Sequence, residues 1–307
     1  MLFDDIVGNK NIINSMQAAI KHGHIGHAYI IDGAPGSGKR LLANTFAASM
    51  LCENLAGSDP CGTCISCITL QSGNHPDVVF VRTQKKSLGT DDVREQIVEG
   101  ISVLPYSSQK RIYIVENANA LTVPAQNALL KTLEDGPKYA VFLLLSQNHK
   151  AFLPTVLSRC VLYKIAPLDN AAVIGHLVER GINAESAAIA AASAMGSIGR
   201  AMAIATDESF TPFRDEILEI VRDIENKDIV EIFAMAKSLE NYKDRITEAL
   251  DILCIYFRDI LVVGQTNYPQ ATIRKIRTIE NAKQKLNQNC NFLLTMEIML
   301  LKLSGAV

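Results

Sequence analysis

The chain has 307 residues, room for two or three domains of ordinary size. Apolar residues make up 48% of it and charged residues 20%, which excludes a disordered chain and leaves ample material for a core. The formal net charge of −2 excludes a generally basic surface, so any contact with nucleic acid has to come from a local patch or from backbone amides.

At the N-terminus, "MLFDDIVGNK" has acids near its start and lacks the basic-then-apolar order of a secretory leader. No apolar run reaches transmembrane length. A cytoplasmic protein with reduced thiols and no membrane partner is expected. Residues 28–32 (AYIID) predict a buried strand and 41–52 a helix. Residues 77–81 (DVVFV) predict a second strand. The spacing over 90–104 predicts a helix, with Thr90 as N-cap and two acids in its first turn. Residues 111–115 (RIYIV) predict a third strand. A helix follows over 122–137, with Pro124 near its start and Gly136-Pro137 as its stop. Residues 140–145 and 160–165 predict two more strands. Apolar strands alternating with helices predict an α/β fold, a parallel sheet covered by helices on both faces.

After Pro167 the strand signals end. The alanine-rich stretch 168–206 predicts three short helices, broken at Gly181 and Gly196. From 209 onward every segment has helical spacing, including 213–225, 229–240, 245–263 and 290–305. A basic helical stretch over 274–285 reads first as a solvated face and second as a contact for DNA or a neighbouring protein. The domain boundaries drawn from these shifts are 1–166, 167–207 and 208–307.

Gly33, Gly36, Gly38 and Lys39 fit G-x-x-x-x-G-K between a predicted strand and a predicted helix, the context in which backbone N–H groups and a helix N-terminus bind phosphate. The bland alternative is an ordinary glycine turn. The next position in such loops is a Ser or Thr whose hydroxyl binds magnesium; here it is Arg40, which has no acceptor and a permanent charge. At the end of the third predicted strand, Glu116 stands where a metal-binding aspartate is needed, and with its longer reach it can still hold a metal. Asn117 stands where a water-activating glutamate is needed, and an amide cannot take a proton at neutral pH. The loop can hold ATP or ADP but lacks both parts that turn it over.

Cys52, Cys61, Cys64 and Cys67 form a C-x8-C-x2-C-x2-C array, within a module at 52–67. Four thiolates close a tetrahedral zinc shell and leave no open position, so the zinc is expected to be structural. CxxC redox chemistry is the rival and needs only two of the four. His22, His24 and His27 have metal-like spacing, but no acid or cysteine nearby completes a shell, and polar roles at a helix end are preferred. Cys254 and Cys290 read as core residues in helices.

These features occur together in one known group. "HAYIIDGAPGSGK", the four-cysteine insert directly after the first helix, "NALLKTLEDGP" and "LPTVLSRC" resemble, in order and spacing from residue 3 to about 205, the clamp-loader group of AAA+ proteins. The resemblance implies an AAA+ α/β P-loop domain with a zinc insert, then a small three-helix lid domain and an all-α C-terminal collar domain. It implies a hetero-pentamer with the gamma/tau and delta subunits of DNA polymerase III, acting on a sliding clamp and primer–template DNA. In that group the arginine of an S-R-C motif reaches ATP held by a neighbour, which implies that role for Arg159. From spacing alone, an arginine in a surface ion pair is the better reading. The group also carries a sensor arginine in a G-S-x-R pattern. Here Gly199 occupies that place and Arg200 follows one residue later, a turn of ~100° around a helix. Ser146, Gln147 and Asn148 fall in the first sensor region. The expected role is a hydrolysis-impaired clamp-loader subunit without intrinsic ATPase, a non-catalytic part of the polymerase holoenzyme. The alternatives are an ATP-hydrolysing gamma/tau-like motor and a stand-alone zinc-stabilised nucleic-acid-binding protein.

Overall fold

The computed structural model of the chain describes residues 2–83, 85, 87–262 and 269–306. These fall into two compact units. One holds the chain up to Gly181 together with Gly196–Arg200; the other holds Ile182–Met195 and the chain from Ala201 onward.

The first unit is built on five strands: β1 (Ala28–Asp32), β2 (Val78–Val81), β3 (Arg111–Val115), β4 (Ala140–Ser146) and β5 (Val161–Lys164). All neighbours are parallel and the order is β2-β3-β4-β1-β5. β1 and β4 lie inside the sheet and are buried along their whole length. That burial is why their sequences run apolar without the alternation of a one-sided strand. Successive side chains divide between the two faces. Tyr29, Ile31, Ile114 and Leu143 pack with Met16 of α1 (Lys10–Lys21) and with Leu42 and Phe46 of α2 (Lys39–Leu51). Ile30, Tyr113, Phe142 and Leu144 pack on the other face with Leu129 and Leu133 of α5 (Val123–Asp135). Edge strand β5 is half-open to solvent, and it is shorter than the predicted 160–165.

Between these elements lie α3 (Ile65–Gln71), which carries part of the cysteine array, and α4 (Thr90–Val93), which runs into a single π turn over Arg94–Val98. Here the sequence expectation needs correction. The helix does not reach residue 104, and Thr90 is not its cap. The N-cap is Gly89, whose N–H donates to the Asp92 carboxylate at 2.8 Å. The chain past Gly100 is claimed by a different partner. The buried Asp77 carboxylate accepts from the backbone N–H groups of Tyr106, Ser107 and Ser108 and from both serine hydroxyls. Burial by itself would raise the Asp77 carboxyl, but these donors outweigh it and pull it down to about 2.

Beyond β5, α6 (Pro154–Leu157) having preceded it, α7 (Asn170–Glu179) is capped by Asp169, and α8 (Ala184–Ser193) by Asn183. The chain turns at Gly181 (φ +87°) and Gly196 (φ +76°), in the left-handed region that glycine enters without strain. α9 (Ile198–Thr206) follows. The second unit adds α10 (Phe210–Val221), α11 (Ile229–Ser238), α12 (Ile246–Val262), α13 (Pro269–Asn287) and α14 (Phe292–Ser304). Its buried side chains include Phe213, Ile217, Leu250, Leu253, Met296 and Leu300. Val263, the last residue of the helix expected over 245–263, lies outside the described residues. The basic stretch 274–285 falls on α13, where Lys275 pairs with Glu225 and Lys283 with the buried Asp251. Among the described residues no helix is long and apolar enough to cross a membrane.

Candidate functional site

The glycine-rich turn joins β1 to α2, with Lys39 as the first residue of the helix. Gly33 N–H donates to Ser146 O at 3.1 Å, tying the start of the turn to β4. Gly36 (φ +70°) and Gly38 (φ +87°) take left-handed conformations that turn successive amides the same way. The Lys39 ammonium bonds back to Gly33 O and Ala34 O, both at 2.7 Å, and braces the loop from inside. Burial lowers the pKa of Lys39, and the nearby Asp32 carboxylate partly offsets that. Among the described residues the N–H groups of Gly36, Gly38 and Lys39 have no partner. The outer side of the loop is clasped. Ser197 Oγ donates to Pro35 O at 2.8 Å, and Gly199 N–H donates to Gly36 O at 2.9 Å. A Cβ at Gly199 would come within 2.8 Å of Gly36 O and 2.9 Å of Gly36 Cα. At Gly199, where a sensor arginine was expected, two backbones touch and leave no room for a side chain.

The acid of the site is already engaged. Arg40 Nε lies 3.3 Å from Glu116 Oε1, and Arg82 Nη2 lies 3.0 Å from the same oxygen. Arg82 was not singled out from sequence. The signal for it is register: β2 and β3 pair with Val81 opposite Val115, which sets the next residues, Arg82 and Glu116, side by side. Asn117 has φ +50°, a left-handed conformation that asparagine tolerates, and leads a tight turn over Ala118–Ala120. A divalent cation does not fit beside Glu116, since that carboxylate is shared by two guanidinium groups and Arg40 offers no ligating atom. Phosphate oxygens do fit the unpartnered amides and the Lys39 ammonium.

The surrounding polar residues serve the loop ends. The Asp32 carboxylate meets His149 Nδ1 at 2.6 Å. Ser146 Oγ accepts from Asn148 N–H, the Asn148 carboxamide accepts from Lys150 N–H, and Gln147 N–H donates to Asn119 Oδ1. Buried Gln126 is a second residue that sequence reading passed over. Its amide donates to Leu121 O and Ala151 O and accepts from Leu153 N–H, fixing the segment that enters α6. Arg159 follows α6. Its guanidinium pairs with Glu134 at 2.7 Å and donates to Thr155 O at 2.8 Å, with the side chain 35% exposed. Cys160 beside it is held well above the ordinary thiol range by burial, at about 12, and is no nucleophile.

Cys52, Cys61, Cys64 and Cys67 converge with all four Sγ atoms within 4.8 Å of one another. Tetrahedral bonds of ~2.3 Å need sulfurs ~3.8 Å apart, and Cys52 and Cys64 already stand at 3.9 Å. Backbone N–H groups of Cys61, Cys64 and Cys67 point at the sulfurs of Cys52, Cys61 and Cys64 at 3.3–3.4 Å. The Thr63 backbone and hydroxyl draw Cys61 down to about 6, while burial raises Cys52 and Cys67. The cluster can hold a metal ion with four thiolates. Among the described residues the three histidines at 22, 24 and 27 form no such group.

A glycine-rich turn between a central parallel strand and a helix, braced by its own lysine, defines a P-loop α/β protein. The family described as "DNA polymerase III, delta subunit" matches residues 8–169. DNA polymerase III subunit delta' of Bacillus subtilis (strain 168) is 25% identical over 95% of each chain. DNA polymerase III subunit tau of the same organism is 25% identical over 93% of this chain and 54% of its own length. A DNA polymerase III gamma subunit-related protein of Thermotoga maritima, whose structure is solved, aligns over 95% of this chain and 98% of its own at 16% identity, with a TM-score of 0.48. The chain belongs to the DNA polymerase III delta-prime family of clamp-loader subunits.

Proposed function

We propose that the chain acts as the delta-prime subunit of a clamp loader, a rigid AAA+ subunit impaired in hydrolysis that presents Arg159 to ATP held by a neighbouring gamma/tau subunit. The observation that carries this reading is the pairing of Arg40 and Arg82 on Glu116, which removes the metal-binding acid from use. Arg159 stays partly exposed in a surface ion pair. Such a pair is worth only about 0–1 kcal/mol, so the guanidinium is free to exchange Glu134 for phosphate. A planar, permanently charged fork suits charge spread over γ-phosphate oxygens. The region 1–166 serves as the AAA+ domain with a structural zinc at its cysteine cluster, 167–207 as a lid, and 208–307 as a collar joining the gamma/tau and delta subunits. The complex then opens a sliding clamp on primer–template DNA.

The test is ATP turnover of the reconstituted complex with Arg159→Ala. The arginine-finger analogy predicts a fall of roughly 10³–10⁵-fold at the one neighbouring site, with assembly intact by gel filtration. The isolated chain is expected to release no phosphate from ATP with magnesium. An unchanged rate in the complex refutes the finger, and brisk turnover by the lone chain identifies a gamma/tau-like motor instead.

A further inference from the structure

The loop poses a chemical contradiction. Its amides and its lysine are arranged for phosphate, yet its surroundings reject the divalent cation that normally accompanies a nucleotide. Arg40 sits one residue past Lys39, is 60% exposed at its side chain, and touches Glu116 with Nε at 3.3 Å. Arg82 holds the same carboxylate oxygen. Lys39, Arg40 and Arg82 thus bring three cationic groups to the end of the sheet. Glu116 and Asp32 are the acids there; one Asp32 oxygen meets His149, and the other is buried without a hydrogen-bond partner among the described residues, on the Lys39 side of the sheet end, where the lysine charge offsets it. The anions are outnumbered by fixed side-chain cations, which is the charge balance a bare polyphosphate requires. The loop is also prebuilt. The Lys39 brace and the clasp by Ser197 and Gly199 leave little for a ligand to organise.

We propose that Arg40 takes over the role of the divalent cation, so that the loop binds a nucleoside di- or triphosphate as the free anion, independently of magnesium. This rests on the reading of the site as non-hydrolysing and extends it to a specific ligand state. A guanidinium offers the phosphate chain several donors in a fixed plane, and its charge cannot be titrated away. Bound nucleotide would then be a permanent structural ligand, with no metal to lead a water onto the γ-phosphate.

The experiment is equilibrium binding of fluorescent ATP and ADP analogues to the full-length chain, in excess magnesium and in excess EDTA. Affinity in EDTA is expected to equal or exceed that in magnesium, because the metal-bound nucleotide carries less charge to meet the arginines. Arg40→Ala is expected to weaken binding in EDTA by about 10- to 100-fold, the loss of one charge-assisted contact. Arg40→Ser, which restores a hydroxyl, is expected to bind more tightly with magnesium than without. Binding in the parent chain that magnesium tightens by more than about 10-fold overturns the proposal. So does Arg40→Ala binding as tightly as the parent, or the absence of binding by the parent in both buffers at ~1 mM nucleotide. Thermal melts in buffer without nucleotide establish that each variant is folded. Failure here leaves the role of Arg159 standing, since that is read from turnover of the complex; silence of Arg159→Ala in the complex leaves metal-free binding standing.

Discussion

Arg40 Nε and Glu116 Oε1 face each other at 3.3 Å across the end of the sheet, one from the first turn of α2 and the other from the residue after β3. In a hydrolysing P-loop site these two positions jointly hold a metal. Here they neutralise each other, and Arg82 completes the pairing from the adjacent strand end. The two positions that pair on a metal in such sites therefore form an ion pair here, while the loop ahead of them keeps its glycines and Lys39.

The first prediction separates the two defects of the site. Arg40→Thr supplies the missing hydroxyl but leaves Asn117, an amide held in a left-handed turn, where a base is needed. The variant is expected to gain magnesium-dependent nucleotide binding and no ATP turnover above the parent, measured as released phosphate. Turnover rising more than about 10-fold with this single change would mean that Asn117 is not the second block.

Position 199 makes a second prediction. Restoring the family's arginine there with Gly199→Arg does not rebuild a sensor, because the added Cβ alone meets Gly36 O at 2.8 Å. The loop or the segment at 196–200 has to move, and the Gly199 N–H to Gly36 O bond is lost or lengthened. A cost of about 1–3 kcal/mol is expected, with a melting temperature lower by roughly 2–10 °C by calorimetry.

Much of the sheet was legible in the sequence for a simple reason. A strand buried on both faces has to be apolar along its buried length, and 28–31 and 140–145 are short apolar runs bounded by turn signals, too short for an ordinary helix. The loop was legible because Gly33–Lys39 is a local motif. What was not legible depends on strand order or on distant partners. Arg82 reaches Glu116 only because β2 lies beside β3. Ser197 and Gly199 reach the loop across some 160 residues of chain. The helix expected over 90–104 forms only as far as Val98, and the loop beyond it is fixed at 106–108 by the buried Asp77 carboxylate, a distant partner that helical periodicity does not reveal. The Arg159–Glu134 pair, by contrast, agrees with the reading that spacing alone favoured.

The cysteine cluster yields a third prediction. The purified chain is expected to carry about one zinc per molecule, released on treatment with a thiol-modifying reagent and read with a metallochromic dye. Cys67→Ser, which removes the buried member of the set, is expected to lose most of that metal. Its melting temperature should fall by at least about 5 °C, because metal binding and local folding are linked. Full metal content in Cys67→Ser would mean that the site closes with other ligands.

Asp77 supplies the last prediction and its pH dependence. The carboxylate holds five donors from Tyr106, Ser107 and Ser108, and its pKa in the folded chain is about 2 against an ordinary ~3.9. A folded-state pKa below the unfolded one means that the folded chain prefers the charged form. The stabilisation is therefore complete above about pH 4 and is lost as pH falls toward 2, amounting to about 2–3 kcal/mol. Asp77→Ala removes it at all pH values and leaves the backbone donors of 106–108 without their acceptor, so it is expected to cost about 3 kcal/mol at neutral pH. In urea melts followed from pH 7 down to pH 3, the stability gap between parent and Asp77→Ala should narrow on the acid side. A gap that stays constant, or widens, as pH falls would show that the loop is held by something other than the ionised carboxylate.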